Sequence, residues 1–446
     1  TMKRDTTPMK LYDYTYWSSP VSGQTLSTLS PGSTHFFEFN PTIANWQFTA
    51  GTTVMTAGKG YIVRSPNSFT STPTVFNGQF VGNVNNGFTQ IPVINGTSNW
   101  NLLGNPYPSA INADLFLGYS GNTSLIGGTI YLWTHNTPLT NNIYTTNDYA
   151  VYNLVGGVGT SATNLGVNNT VPTGKIASGQ GFFVKALANG NVTFLNSMRV
   201  LGNNNSFFRT NSSANQDSNG ELEKHRLWLN LTNSQGAFKQ TLIGYVENAT
   251  NELDRDFDGT TLAAGNVINF YTICNSETLA IQGRALPFVI EDVVPVGYSS
   301  SIAGNFEISI EKFDGLFDTL EDIILEDKEL QTYHNLKESS YSFSTNAGTF
   351  NDRFLLRYSS QALSNPQNQI DYGVQVFVNN HQLSVNSKNE YIDSIKVYDI
   401  LGRNLFSKEK INAETFSTLL NETKQSLIVK IKLNNGIIVT KKVITN

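Results

Sequence analysis

Short apolar or alternating runs, separated by polar turns, make up most of this chain. The runs are rich in β-branched and aromatic side chains and are bounded by Gly, Asn, Pro or Ser, a pattern typical of β-strands. The clearest runs are FFEFN, GYIVRS, TIYLW, GFFVKA, RLWLNLT, QTLIGYV, FEISIE and RFLLRY. The best helix candidate, LEDIILEDKELQTYHNL, fits a strand and a loop equally well, and we favour the strand. The pattern predicts an all-β protein built from sandwich or jelly-roll-like domains.

The last segment, SLIVKIKLNNGIIVTKKVITN, predicts a β-hairpin. An Asn434-Asn435-Gly436 loop with Gly436 in the left-handed conformation makes one face of the hairpin almost wholly apolar. The expected pairs are Leu433 with Ile437, Ile431 with Val439, and Leu427 with Val443. A two-residue turn would instead place Lys430 opposite Lys441, which is unfavourable. We therefore predict the longer loop, in a hairpin that closes a small domain.

The first 200 residues contain two similar copies, about 12–98 and 99–205. The motifs occur in the same order in both copies: YWSSPVSGQTLS and LLGNPYPSAINA, FFEFN and IYLWT, AGKGYIVRSP and ASGQGFFVKA. The second copy is longer because of Asn/Thr/Gly-rich loops, where binding sites or neutral drift are both plausible. The G-x-G turns in GKGYIV and GQGFFV run into strands, so we interpret their glycines as structural and not as phosphate-binding.

Charge and composition divide the chain into three parts. Residues 1–200 hold eight Lys and Arg against five carboxylates, residues 201–370 hold 11 against 22, and residues 371–446 hold 10 against 7. Polar linkers at 211–221 and 361–371 separate a duplicated region (1–210), an acidic β-sandwich (222–360) and a C-terminal domain (372–446). We find no basic patch for nucleic acid and no apolar run that would span a membrane. The single cysteine, Cys274, does not fix the compartment.

The segment ELDRDFDGT is the sharpest site-like feature. Asp254, Asp256 and Asp258 precede Gly259 in the order that opens a calcium loop, where alternating carboxylates converge on the cation. The rest of that motif is missing, since the twelfth position is Gly265 and no Glu follows before Glu277. Calcium is therefore the one cofactor that we consider, and a solvated turn is the alternative.

Two aromatic residues near loops, Trp133 and Tyr144, could stack on sugar rings, although most aromatic side chains of an all-β protein are in its core. The five histidines have no flanking ligand or nucleophile motif, and no common catalytic motif occurs. We therefore predict no enzymatic activity.

The C-terminal region, DSIKVYDILGRNLFSKEKI followed by SLIVKIKLNNGIIVTKKVITN, resembles the type A C-terminal sorting domain of the type IX secretion system of Bacteroidetes. The family commonly has Gly-Tyr before its penultimate strand, where this chain has Ser426-Leu427. The residues that carry the resemblance are Val397, Tyr398, Asp399, Leu401, Gly402, Arg403, Val429, Lys430, Ile431, Asn435, Gly436, Lys441, Lys442 and Val443.

The resemblance implies a small Ig-like β-sandwich that directs a folded passenger through the outer-membrane translocon and is held by a shuttle barrel protein. Upstream, WNLLGNPYPSAINADLFL, IASGQGFFVKA and GTFNDRFLLRYS are similar to segments of adhesin-like surface proteins of the same lineage. We therefore expect a non-catalytic cell-surface or secreted cargo, exported via the periplasm and linked to attachment or gliding. The alternatives are a secreted glycan-binding module that recognises a surface polysaccharide, and an accessory region of a larger extracellular hydrolase.

Overall fold

The computed structural model describes residues 1–135, 144–160, 171–202, 204, 222–359, 373–379, 382–388, 390–399, 403–420, 426–436 and 438–444. It divides the chain into two compact units, Thr1–Ser360 and Gln361–Asn446. Both are built from mostly antiparallel sheets, which confirms the predicted all-β class. All eight strands named from the sequence are present, and LEDIILEDKELQTYHNL forms a strand, a turn and a second strand.

The helices and strands have the following bounds. The strands of the first part are β1 Met2–Asp5, β2 Tyr14–Trp17, β3 Phe36–Asn40, β4 Asn45–Phe48, β5 Tyr61–Arg64, β6 Asn77–Phe80, β7 Thr89–Val93, β8 Trp100–Gly104, β9 Ala110–Asn112, β10 Ile130–Trp133, β11 Tyr149–Tyr152, β12 Gly157–Val158, β13 Lys175–Ile176, β14 Gly181–Lys185, β15 Gly190–Phe194 and β16 Arg199–Val200. The rest of the first unit holds β17 Lys224–Asn233, β18 Phe238–Val246, β19 Gly259–Thr260, β20 Ile268–Cys274, β21 Glu277–Ala285, β22 Val293–Ser300, β23 Gly304–Phe313, β24 Ile324–Asp327, β25 Thr332–Asn335, β26 Tyr341–Thr345 and β27 Gly348–Arg357. Short helices that the sequence pattern did not predict are α1 Leu26–Leu29, α2 Ala113–Leu117 and α3 Ser120–Thr123, with 3-10 turns at Thr146–Asp148, Asn196–Met198 and Gly315–Asp318.

The two sequence copies form sheets with the same strand order. The first sheet runs β2-β5-β3-β4, and the second runs β8-β14-β10-β11 with β12 added at its edge. The register is also the same, because Tyr14 pairs with Arg64 in the first copy as Trp100 pairs with Lys185 in the second. The extra length of the second copy therefore lies outside a shared four-strand framework.

The copies contact each other reciprocally through their G-x-G turns. The Ser18 amide donates to the Gly179 carbonyl at 2.8 Å, and the equivalent Gly104 amide donates to the Gly58 carbonyl at 3.0 Å. A side chain on Gly60 would meet Leu102 and Leu103 of the other copy, at 2.5 Å from the Leu102 Cγ and 2.6 Å from the Leu103 carbonyl oxygen. The backbones can approach this closely only because glycine has no side chain. The glycines of both G-x-G turns are therefore structural, as the sequence indicated.

The acidic region forms one large sheet. Its strand order is β25-β24-β27-β22-β20-β21-β18-β17-β23-β26, with β19 paired to β21. A core of aromatic and aliphatic side chains from most of these strands fills one side of the sheet.

Residues 222–360 do not form a unit separate from the duplicated region, which differs from the domain division expected from charge and linkers. Trp228, Leu242 and Ile281 of the large sheet pack in one buried cluster with Val155 and Val158 of the second copy. The Trp228 indole also donates to the Gly157 carbonyl at 2.8 Å. The segment 211–221 lies outside the described residues. The change in charge near residue 210 reflects the surface residues of the two regions. It does not show whether their apolar faces are buried against each other, as they are here.

The second unit contains two sheets around one core. Its strands are β28 Val374–Asn379, β29 Gln382–Ser387, β30 Ile392–Asp399, β31 Asn404–Ala413, β32 Thr415–Leu419, β33 Ser426–Leu433 and β34 Ile438–Ile444. The sheets run β28-β29-β32 and β31-β30-β33-β34, and both contribute to the same apolar cluster.

The terminal hairpin, β33 and β34, has the predicted register. Ile431 pairs with Val439 and Leu427 with Val443, and Gly436 has a φ of 88°. Ile437, the predicted partner of Leu433, lies outside the described residues. Alternation along β33 buries Leu427, Val429, Ile431 and Leu433 completely, so the hairpin supplies a wall of the core.

Candidate functional site

The residues that carry the sorting-domain resemblance divide into inward and outward sets. Val397, Val429 and Ile431 are fully buried and Val443 is nearly so, which assigns them to the core. Asn435 and Gly436 form the hairpin turn. Leu401 and Gly402 lie outside the described residues.

Asp399 and Arg403 close the turn between β30 and β31. The Asp399 carboxylate, whose side chain is only 2% exposed, accepts from the Arg403 amide at 2.9 Å and from its guanidinium Nε at 2.6 Å. A charged acceptor that binds a backbone amide fixes the turn tightly. In the described structure this pair therefore stabilises the turn, and the arginine side chain remains mostly exposed.

The outward face of the hairpin sheet carries a basic row. Lys396 of β30 lies directly opposite Lys430 of β33, and Tyr398 is next along β30 with the Lys430 ammonium 5.6 Å from its ring centroid. Lys432 lies further along the same face of β33. On β34, Lys442 pairs with Ile428, whereas Lys441 pairs with the buried Val429 and therefore belongs to the inner face. Like charges directly opposite on neighbouring strands are destabilising. Two surface ion pairs, Lys396 with Glu409 at 3.7 Å and Lys432 with Asp393 at 3.0 Å, offset this repulsion only in part.

The acidic segment does not form a calcium cradle. Asp254 accepts from the amide and hydroxyl of Thr250, and Asp258 accepts from the amides of Asp254 and Gly283 at 2.7 and 3.0 Å. Asp256 pairs with the Arg255 guanidinium. Within the described residues no group of three or more Asp, Glu, His or Cys is placed to hold a metal ion.

The same segment docks the large sheet onto the second copy. Arg255 donates to the carbonyls of Ile126 and Leu117 at 3.0 and 3.1 Å, and the Thr129 hydroxyl donates to the Asp258 carbonyl at 3.1 Å. Hydrogen bonds to the aspartates stabilise a turn, and the backbone of this turn and Arg255 contact the second copy. The observed role of this segment is therefore structural.

Asp258 gives this turn a pH dependence. Burial raises its pKa from 3.8 to about 6, against the opposing effect of the two amides that donate to it. Because the folded state then binds the proton more tightly than the unfolded state, this group lowers stability as pH rises from about 4 to about 6. We expect Asp258→Asn to show a flatter dependence of unfolding free energy on pH in that window, measured by urea denaturation. An unchanged slope in the variant would assign the dependence to other carboxyls.

Trp133 and Tyr144 belong to an aromatic cluster between the two copies. The Trp133 ring stacks on Tyr16 at 5.7 Å and 12° and has Tyr149 against it at 5.1 Å, while its indole donates to the Tyr14 carbonyl. The Tyr144 hydroxyl donates to the Tyr12 carbonyl at 2.7 Å, and burial raises its pKa. Both rings are partly buried against these neighbours. Only part of each ring is therefore accessible to a ligand.

A small cleft beside Trp133 contains residues that the sequence did not single out. It is lined by Thr6, Thr7, Pro8, Met9, Asp13, Tyr14, Thr15, Trp133, Thr134 and His135. The His135 Nε2 is 2.8 Å from an Asp13 carboxylate oxygen, and both Tyr12 and His135 have positive φ angles, of 78° and 51°. Such backbone strain is found at binding sites more than elsewhere. Asp13 and His135 are 122 residues apart, so no local motif could have revealed the pair.

Among the described residues, no helix is long and apolar enough to cross a membrane. Comparison with known proteins gives two family matches. A model described as domain of unknown function DUF8693 matches residues 1–358, and one described as domain of unknown function DUF8694 matches residues 363–445. No curated protein matches the sequence.

Two solved structures show low similarity. Tp47, the 47-kilodalton lipoprotein of Treponema pallidum, is 9% identical over 50% of this chain and 87% of its own, with a TM-score of 0.14. The BSP domain of a biofilm-associated protein is 10% identical over 100% of this chain and 96% of its own, with a TM-score of 0.13. At these scores neither structure bears on fold or function. The first family model spans well over half of the chain and ends where the first compact unit ends, and the protein therefore belongs to the family described as domain of unknown function DUF8693.

Proposed function

We propose that the second unit is a type A sorting domain of the type IX secretion system and that the first unit is its exported, adhesin-like and non-catalytic cargo. The observation that carries this proposal is the hairpin of β33 and β34, which belongs to a compact unit of its own and has the register predicted from its apolar alternation. An address of this kind has to be recognised apart from the passenger that it accompanies.

The basic row on the outer face supports recognition by a partner. Lys396 and Lys430 lie opposite each other, and the acidic partners on this face are surface groups only, Glu409 at 3.7 Å from Lys396 and Asp393 at 3.0 Å from Lys432. A complementary acidic surface on the translocon or shuttle protein would relieve this repulsion on binding. The buried Val397, Val429 and Ile431 of the same motif would hold the backbone of this face in position.

The cargo role is supported by how the first unit uses its charged groups. Asp292 and Asp327 are bound by Arg284 and Arg353, and Tyr245 and Tyr341 donate to the same carboxylates. These groups join strands of the large sheet and are suited to holding a rigid passenger.

Export is tested by fusing residues 366–446 to a fluorescent reporter that carries an ordinary signal peptide, in a bacterium with this secretion system. We expect reporter on the surface or in the medium, lost when the translocon is deleted. Deleting 372–446 from the full chain should trap the protein in the periplasm. Periplasmic reporter, or surface delivery of the truncated chain, would contradict the proposal.

The role of the basic row is tested with Lys396→Glu/Lys430→Glu in the same fusion. The double variant keeps two like charges opposite each other and reverses the sign of the face. Because Lys396→Glu also places a second carboxylate beside Glu409, circular dichroism of the purified fusion first has to show that the variant is folded. We expect export to fall by about tenfold or more. Lys388→Glu, an exposed lysine outside this sheet, is the control and should be exported normally.

The Asp13–His135 cleft favours one alternative, a secreted glycan-binding module. Its carboxylate, imidazole and hydroxyl groups beside a partly exposed tryptophan are the groups that bind sugars. Under this alternative, Asp13→Asn and Trp133→Ala, which change two residues that line the cleft, should each lose binding to a polysaccharide found on a glycan array. Asp5→Asn, which changes an exposed aspartate that accepts only a surface hydrogen bond from Asn77, should retain it. The absence of any array signal for the intact chain would remove the alternative.

A further inference from the structure

A lysine and an asparagine meet where the second copy contacts the large sheet. Lys239, near the start of β18, is partly buried, and its ammonium donates to the Asn147 side-chain carbonyl oxygen at 3.2 Å. Asn147 lies in the 3-10 turn Thr146–Asp148, and the two residues are 92 positions apart. The Asn147 carbonyl carbon is then within about 4.4 Å of the lysine nitrogen, since a C=O bond adds about 1.2 Å.

The turn that carries the asparagine is anchored on its N-terminal side. The Thr146 amide donates to the Ala264 carbonyl, and the Thr145 hydroxyl donates to the Asn266 side chain at 2.8 Å. Lys239 is fixed through the pairing of β18 with β17. A small movement of the lysine would bring its nitrogen to the roughly 3–3.5 Å from the carbonyl carbon at which a nucleophile held beside its target reacts as if at very high concentration.

A carboxyl group completes the arrangement. Asp148, directly after Asn147, is 1% exposed, and its charge acts on Lys239. Its backbone carbonyl accepts from both the amide and the hydroxyl of Thr134, which anchors the residue. An acid that interacts with the amine and directly follows the asparagine in the chain can carry a proton from one group to the other.

The lysine is also more nucleophilic than an ordinary one. Burial lowers its pKa from 10.5 to about 8, partly opposed by the Asp148 charge. At pH 7 roughly one in ten of these amines is then neutral, against about one in three thousand for an exposed lysine. Desolvation of this kind is a recognised way to activate lysine as a nucleophile.

We propose that Lys239 and Asn147 form an intramolecular isopeptide bond, with Asp148 as the proton carrier. The Lys239 nitrogen bonds to the Asn147 carbonyl carbon, and the bond from that carbon to the side-chain amide nitrogen breaks. Asp148 transfers the proton from the attacking amine to the departing nitrogen, which leaves as ammonia. Nothing is oxidised or reduced, and the product is a secondary amide that joins the duplicated region to the large sheet.

Such a bond would have a mechanical effect. It would link two residues that are 92 positions apart, so tension on the termini would pass through the cross-link and not through residues 148–238. The contact between the second copy and the large sheet could then resist shear without depending on apolar packing alone. This inference does not rest on the export proposal, because it concerns only the first unit.

The test is the mass of the purified full chain under denaturing conditions. We expect a mass lower than that of the sequence by one ammonia, and a branched peptide joining residues 147 and 239 after digestion. Lys239→Arg and Asp148→Asn should each restore the full mass. Lys185→Arg is the matched control, because burial also lowers the pKa of Lys185 but its ammonium donates to the Thr260 hydroxyl at 3.4 Å.

Two results would overturn the proposal. Folded wild-type chain of full mass, with a cooperative thermal transition, would leave the contact as a hydrogen bond only. An ammonia loss that persists in Lys239→Arg would come from succinimide formation at a step such as Asn435-Gly436. The wild-type measurement decides the first point without any variant, so the proposal can be tested even if a substitution prevents folding.

Discussion

Replacing Arg353 by Met is expected to destabilise the first unit by about 3–5 kcal/mol, because it leaves a buried carboxylate without its counter-ion. The Asp327 side chain is fully buried and that of Arg353 is 4% exposed. The guanidinium donates to both Asp327 oxygens, at 2.8 to 3.2 Å, and lies over the rings of Phe343 and Phe354. Urea unfolding of the full chain would measure the loss.

Most of this destabilisation should come from leaving the Asp327 carboxylate buried and unpaired, and less from losing its attraction to Arg353. We therefore expect Arg353→Met/Asp327→Leu to recover part of the stability lost by Arg353→Met alone. Glu38→Gln is the control, since it breaks a pair with Lys59 whose side chains are 29% and 32% exposed, and should cost no more than about 1 kcal/mol. Equal losses for the single and double changes at the buried pair would contradict this account.

The pair of Asp327 and Arg353 also makes the stability of the first unit depend on pH. Burial by itself raises the pKa of Asp327, but the hydrogen bonds from Arg353 and Tyr341 outweigh burial and the net pKa is lowered. A carboxyl with a lowered pKa contributes stability that is present above its unfolded value of about 3.9 and is lost as pH falls through the folded value. The contribution of Asp327 is therefore complete at neutral pH.

A methyl group on Gly60 is expected to disrupt the contact between the two copies. The new Cβ would lie 2.6 Å from the Leu103 carbonyl oxygen, a backbone atom that cannot rotate away, so the copies have to separate. Overpacking of this kind costs about 3 kcal/mol. Gly181→Ala, at the equivalent position, brings its Cβ to 2.9 Å from the Tyr16 Cβ and should cost somewhat less.

Gly127 provides the control for both glycine substitutions. Its nearest neighbour would be the Lys185 carbonyl oxygen at 3.9 Å, an ordinary contact, so Gly127→Ala should leave the melting temperature almost unchanged. If Gly60→Ala behaved like Gly127→Ala, the close approach of the copies would not exist in solution.

Local sequence patterns were sufficient to predict those parts of the fold that depend on residues close together in the chain. The alternation around Gly436 predicted the pairs of Leu427 and Ile431 in the terminal hairpin, since a one-residue shift would expose the apolar face. The order of motifs in the first 200 residues indicated the duplication, and both copies have the same strand order in the structure.

Long-range contacts were outside the reach of the sequence. Nothing near Trp228 indicates that its indole meets Gly157, so the joining of the acidic region to the second copy could not be inferred. The spacing of Asp254, Asp256 and Asp258 indicated calcium, although backbone amides and Arg255 occupy these carboxylates. Asp13 and His135, and Lys239 and Asn147, likewise become neighbours only when distant strands assemble.

The reciprocal contact between the copies has an evolutionary consequence. The bond from Ser18 to Gly179 is matched by the bond from Gly104 to Gly58, so one copy carries both halves of its own interface. Two identical chains with this property associate as a symmetric pair. Duplication and fusion of the gene for one copy would turn that concentration-dependent pairing into a permanent one, and would free the second copy to acquire the strand edge and loops that now hold the large sheet.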